Sequence, residues 1–390
     1  CKNLNNEQLF ISHFIKKMEY QKFFKELKEL YSILYNYIEG SDQYENEEDY
    51  TDLIDFYLSQ IYIPHGEKLK SFLYLINQFT MHHYRKPQLF RKIEKVILSL
   101  EKEIKQTFTN VELFKLFQSN KSILLILFTH NIIFVDTDII FQNNEDASYW
   151  RFFYPEKRKH FIQKVPQELL DMEPKDMDEY ERKRQIGEND SYICFLIRND
   201  SIDEFVAHVN QTNLSLSKTI IGDSIFETNP FLIGKNPTLI EYAAFFGSIQ
   251  IFNYLRMNKA ELTPSLWHYS IHSNCAELIY LLEENHVPLP HNSYYACLEE
   301  AIKCHHNEIA SYIINNFIDP ENHKKFYDNV YNYAFCYDNY EYLPDDKKNE
   351  FILGYACRYN YIQLVEFSLS QGRIDINQKI YDILKKKNYL

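Results

Sequence analysis

Glycine and proline are scarce in this chain, 8 and 12 in 390 residues. So few turn formers exclude the many short strands of a β-sandwich and favour helices joined by short connections. Basic residues are also in deficit. Lys and Arg number 42 against 55 Asp and Glu, a net charge of −13, which argues against nucleic acid or a membrane surface as the main partner, since both need a basic face that displaces counterions. Long apolar runs are missing: the longest, Ile123 to Val135, is interrupted by Thr129, His130 and Asn131 and is too short to cross a bilayer. The seven cysteines (Cys1, Cys194, Cys275, Cys297, Cys304, Cys336, Cys357) are odd in number and never spaced C-x-x-C. They read as reduced core residues, not a disulfide framework. No charged-then-apolar leader opens the given sequence, so the expected setting is the cytoplasm, with the nucleus also open.

Enzyme signatures are equally absent. There is no G-x-G-x-x-G, no phosphate-cradling G-x-x-x-x-G-K-S/T, no G-x-S-x-G and no H-E-x-x-H, so the chain is not expected to be an enzyme and no cofactor is expected. Two sets of residues look like metal ligands. His268 and His272, four apart, share a helical face but have no third ligand at a convincing spacing. Cys297, Cys304, His305 and His306 form a second set, yet two cysteines seven apart on one helical face are what two small buried residues also look like. Asp136 and Asp138 read as a turn.

What the chain does have is aromatic residues, 32 Tyr and 29 Phe, within 45% hydrophobic and 25% charged content. It is long enough for two cores or for one extended solenoid. In the N-terminal region, 1–148, Phe10, Phe14, Met18, Phe23, Phe24, Leu27, Leu30, Tyr31 and Leu34 recur at three- and four-residue steps, which predicts a long amphipathic helix from Glu7. The acidic run Ser41 to Asp55 reads as a solvated loop leading into a short helix. Further helices are expected over Glu67 to Tyr84 and over Pro87 to Phe108, the second with proline at its first turn. A degenerate helix-turn-helix unit is expected at about 110–135. The segment 149–186, with Pro155, Pro166, Pro174 and runs of both charges, reads as a connector.

From 187 to 390 the sequence repeats itself. One unit runs from Pro237 through Ala243 and Gly247 to Leu262; the next restarts at Pro264, passes Ser270 and turns at Asn274. Others centre on Ala301 and Ala356, with a degenerate one near Ala334. The steps between these small residues are 27, 31, 33 and 22. Thr238 with Glu241, and Ser265 with His268, stand at capping-box spacing. Small residues recur where two helices must approach closely, and Gly247 and Asn274 suit a left-handed turn, with His305 and Asn360 in the same place.

These residues resemble the ankyrin repeat, most closely over Thr238 to Leu262. More narrowly, Asn189 to Cys194, Ser224 to Asn229 and Glu241 to Gly247 look like a large ankyrin family of parasitic protists that carries an uncharacterised domain over its first repeats. The resemblance is strong from Glu188 to about Asn285 and looser elsewhere. It implies an all-α chain, with an N-terminal helical region followed by a solenoid of about five helix-turn-helix units. The 27-residue step departs from the family's unit and leaves no room for a normal projecting hairpin, so short or missing β-hairpins are expected. Ankyrin-like proteins hold a protein partner on the concave face. The positions that such a solenoid turns to its partner are Phe245, Phe246, His272, Ser273, Lys303, Cys304, Arg358 and Tyr359. Phe245 and Phe246 have a second reading as core, covered by other parts of the chain. The expected function is a non-enzymatic protein-binding module. The alternatives are an enzyme or regulatory subunit with its site in the N-terminal half, and a self-assembling structural protein.

Overall fold

Apolar residues at three- and four-residue steps leave the chain one economical way to bury them, by packing helices against helices. The computed structural model describes residues 25–26, 28–40, 51, 53–54, 65–83, 88–136, 139, 147–161, 167–318 and 323–343. The protein is all-α: among the described residues there is no strand, and one isolated antiparallel bridge joins Ile220 to Thr238. No described helix is long and apolar enough to cross a membrane. Two compact units emerge, one of Ile76–Asp319 and one of Cys1–Leu75 with Pro320–Leu390.

The larger unit begins within α1 (His65–His82), from Ile76 onward. The helix expected over Pro87 to Phe108 is two, α2 (Leu89–Ser99) and α3 (Glu101–Thr107), broken at Leu100, a position without glycine or proline to announce it. Pro87 itself lies outside the described residues. A hairpin follows, α4 (Asn110–Phe117) and α5 (Lys121–Thr129). A capping box starts it: the Glu112 N–H donates to Thr109 Oγ1 at 3.3 Å and the Thr109 N–H donates to Glu112 Oε2 at 2.8 Å, satisfying donors that a helix start leaves bare. Asn120, buried at the turn, ties this hairpin to α1 by donating to Thr80 Oγ1 at 2.7 Å and Asn77 Oδ1 at 3.1 Å.

The proline-containing segment 149–186 is largely helical. It takes in most of α6 (Ala147–Phe152) and all of α7 (Tyr154–His160), α8 (Gln167–Leu170) and α9 (Met177–Ile186). Pro155 falls in the first turn of α7, where its missing N–H leaves no bond unmade. Trp150, Phe152, Phe153, Tyr154 and Tyr180 are buried, and so is Arg184. The Arg184 guanidinium is matched by Glu156 at 2.7 Å and Glu181 at 2.9 Å and lies over the Phe152 ring, the pairing that a buried cation requires.

Four helix-turn-helix pairs follow: α10 (Tyr192–Arg198) with α11 (Ile202–Thr212), α12 (Leu239–Phe246) with α13 (Ile249–Met257), α14 (Leu266–His272) with α15 (Ala276–Glu284), and α16 (Tyr294–Lys303) with α17 (Asn307–Phe317). Each turns through one left-handed residue: Asp200, Gly247, Asn274 and His305, at φ 47°, 69°, 52° and 58°. The first helices pack in order, α10 on α12, α12 on α14 and α14 on α16. Close approach is possible because Ala243, Ser270 and Ala301 are small, and each is wholly buried. The capping box at Thr238 forms, with the Thr238 N–H donating to Glu241 Oε2 at 2.8 Å and the Glu241 N–H donating to Thr238 Oγ1 at 3.4 Å. The one expected at Ser265 does not. Ser265 has helical backbone angles and no capping bond; its hydroxyl donates instead to Glu241 Oε1 of the preceding pair, a stronger charged acceptor than its own helix offers.

In the smaller unit, residues 28–39 are helical and bury Leu30, Tyr31, Leu34 and Ile38. The helix α18 (His323–Cys336), with Ala334 buried, ends in a short 3-10 turn at Tyr340–Tyr342, and the rings of Tyr31 and Tyr340 meet at 6.1 Å. The start of the expected first helix, most of the acidic run, the unit around Ala356, and Arg358, Tyr359 and Asn360 lie outside the described residues.

Candidate functional site

The C-terminal ends of the first helices place Phe245, His272 and Cys304 in a row, because each sits one or two residues before its left-handed turn residue. The row is covered from two directions. Phe245, His272, Ser273 and Cys304 are buried; Phe246 and Lys303 are half-buried. These residues therefore form a site overlaid by the chain itself.

One cover is the loop between α11 and α12. Its Phe231 ring stacks on Phe245 at 5.7 Å, meets Tyr269 at 5.0 Å and lies 4.0 Å from the His272 ring. Lys303 and Lys235 approach the same ring at 6.0 and 5.7 Å, within the range of a cation–π contact. The loop is held by Glu227, Thr228 and Asn229, all buried. Glu227 accepts from the backbone of Asn229 at 2.8 Å and of Asn189 at 3.3 Å, and Thr228 donates to the Gly187 carbonyl at 2.7 Å. Ser224 donates to Asp190 at 2.8 Å. Two of the sequence motifs, Asn189 to Cys194 and Ser224 to Asn229, thus latch to each other and present Phe231 to the row.

The second cover is the end of α1 and the residue after it. Phe79 stacks on His305 at 4.3 Å, and His83 donates from Nδ1 to the Cys304 carbonyl at 2.9 Å. His306 reaches across to the previous pair, donating from Nδ1 to the Ile271 carbonyl at 2.7 Å. The turn from Cys304 to His306 is thereby fixed on three sides.

Beneath the covers lies a buried polar group. His272 Nε2 is 2.6 Å from Glu300 Oε1, Lys303 Nζ is 3.0 Å from the same oxygen, and Cys304 Sγ is 3.5 Å from His272 Nδ1. Burial holds His272 below the usual imidazole range. Burial works to raise the Glu300 pKa, but the His272 hydrogen bond and the Lys303 charge outweigh it and keep the carboxyl below its ordinary range. A carboxylate only accepts, so a neutral His272 carries its proton on Nε2 and offers the Nδ1 lone pair toward the thiol. Burial pushes the Cys304 thiol well above its usual value, so it is protonated and unreactive at neutral pH.

The structure regroups the two metal-like sets. His272 from one and Cys304 from the other meet Glu300, and one donor atom from each lies within 4.8 Å of the others. Cys297 is a buried thiol raised to about 12 by that burial. His305 and His306 serve the turn. His268 is half-buried, with Nε2 making no hydrogen bond. Sequence reasoning passed over Glu300, although it stands four residues before Cys304 and therefore on the same helical face. Phe231 had no local signal at all, because what it covers is more than ten residues away in sequence. Protein-family models, curated proteins and solved structures were all compared with the chain, and none matches.

Proposed function

We propose that this chain is a non-enzymatic, ankyrin-like protein-binding module of the cytoplasm, holding a protein partner along the row of first-helix ends. The observation that supports this reading most is the serial packing of α10, α12, α14 and α16, each turned by one left-handed residue, since such a stack presents a rigid extended surface at little entropic cost on binding. The repeat pattern in the sequence supports it too. The accessible part of the row is its rim, Phe246 and Lys303, aromatic and basic residues of the kind enriched at interface hot spots. Immobilised full-length chain is expected to retain a partner from its source cell at physiological salt. Phe246→Ser is expected to lose that partner at unchanged melting temperature. Retention of the same partner by Phe246→Ser, or of nothing beyond what an acidic helical control retains, overturns the proposal.

A second reading, self-association, has one observation behind it. Tyr192 and Phe195 on α10 are 54% and 50% exposed, whereas the matching Leu239 and Tyr242 on α12 are buried. A concentration-dependent mass in solution, abolished by Phe195→Ser, would favour it.

A further inference from the structure

The buried group under Phe231 is chemically richer than helix packing requires. We propose that His272, Glu300 and Cys304 bind a divalent transition metal of the zinc class. Three donor types converge: an imidazole nitrogen, a carboxylate oxygen and a sulfur, the set from which zinc sites are assembled. Their donor atoms lie mutually within 4.8 Å. Zinc bonds of about 2.0–2.3 Å at tetrahedral angles place such donors roughly 3.2–3.7 Å apart. An imidazole gives one ion one nitrogen: His272 Nε2, 2.6 Å from Glu300 Oε1, opens to the metal as its proton moves to Nδ1, and the sulfur, 3.5 Å from Nδ1, turns toward the same ion.

Each donor sits on a fixed support. His272 ends α14, and Glu300 and Cys304 stand four apart at the end of α16, so the metal joins two neighbouring pairs of the row. Both hydrogen bonds to Glu300 fall on Oε1, leaving Oε2 as the oxygen to turn toward the cation. The rings of Phe231 and Phe245 close over His272, an apolar shell that keeps water from competing. Burial makes the Cys304 thiolate costly by itself, and a cation removes that cost: the S–H bond breaks, the proton leaves to solvent, and the sulfur lone pair binds the metal. One charge opposes the ion. Lys303 stands 3.0 Å from Glu300, which gives the proposal a signature of sign, because taking that charge away must tighten a metal and loosen a simple salt-bridge network.

The test uses the full chain, stripped of metal and titrated with Co²⁺ alone, then Zn²⁺ in competition. The expected result is one equivalent of Co²⁺ with a thiolate-to-cobalt absorption band that Zn²⁺ abolishes. Cys304→Ala removes the band and Cys297→Ala keeps it; Glu300→Gln weakens binding about 10- to 100-fold, and Lys303→Gln strengthens it. Circular dichroism of each variant establishes that it is folded, and should Cys304→Ala not fold, Cys304→Ser takes its place. A folded chain that binds no cobalt, a band that survives loss of the Cys304 thiol, or weaker binding in Lys303→Gln overturns the assignment.

Discussion

Gly247 and Gly222 are alike in sequence and opposite in what they do. Gly247 closes α12 at φ 69°, and a Cβ there would meet only ordinary contacts at 3.7 Å from Cys275 and Ser273. Its need for glycine is therefore conformational, not steric. Gly247→Ala is expected to cost about 1–2 kcal/mol, the penalty of a left-handed L-residue, in urea unfolding. Gly222 has nothing within 4 Å of a Cβ and no left-handed angle, so Gly222→Ala is expected to leave the midpoint unchanged. Equal effects from the two would remove the turn from the account. Asp200, Asn274 and His305 occupy the same left-handed site with side chains. Asn tolerates that site and His is less suited to it, but His305 is held there by the Phe79 ring, a compensation that its own neighbours in sequence do not supply.

At the scale of elements, the row depends on how closely the first helices approach. Ala243 has no exposed surface between α12 and its neighbours, and no larger side chain fits without displacing a helix. Ala243→Leu is expected to destabilise the chain by about 1–3 kcal/mol through overpacking; a melting temperature at or above that of the parent would show the helices to be less tightly apposed than described. The pattern of small residues was legible in the sequence because it repeats. The helical character of 149–186 was not. Its prolines and alternating charges matched a linker, but one proline starts a helix and the buried Arg184 is matched by Glu156, 28 residues away, as well as by Glu181 three residues away. Charge pattern along a segment says little about burial when the matching charge is distant.

For the whole molecule, pH is the simplest lever. Burial, aided by the charge of Lys303, lowers the His82 pKa from 6.5 to about 3. His272 and His268 are also lowered by burial. As pH falls below 6.5 the unfolded chain takes up protons that the folded one refuses, so stability decreases, by about 1.4 kcal/mol per pH unit for each such histidine. Glu300, held ionised, adds to the loss below its ordinary 4.5. Asp338 works the other way, since burial raises its carboxyl from 3.8 to about 7 and its contribution is lost as pH rises through that range. The informative quantity is thus a difference. Between pH 6 and pH 4, His82→Gln is expected to lessen the acid-induced loss of unfolding free energy by about one proton's worth relative to the parent; parallel curves would show that His82 titrates normally.

The sequence by itself determined that this is a helical chain, where three of its four pairs turn, at Gly247, Asn274 and His305 but not at Asp200, and which small residues lie between them, because these follow from local propensity and from a pattern written several times over. It also brought His272 and Cys304 to notice through that same pattern. Tertiary structure alone decided that the row is covered, that Phe231 is the ring covering it, and that Glu300 completes the group beneath. The reason is physical: burial and electrostatic pairing are set by what arrives from elsewhere in the chain, from α1 and from a loop with no repeat of its own, and no short stretch of sequence carries the address of its distant neighbour.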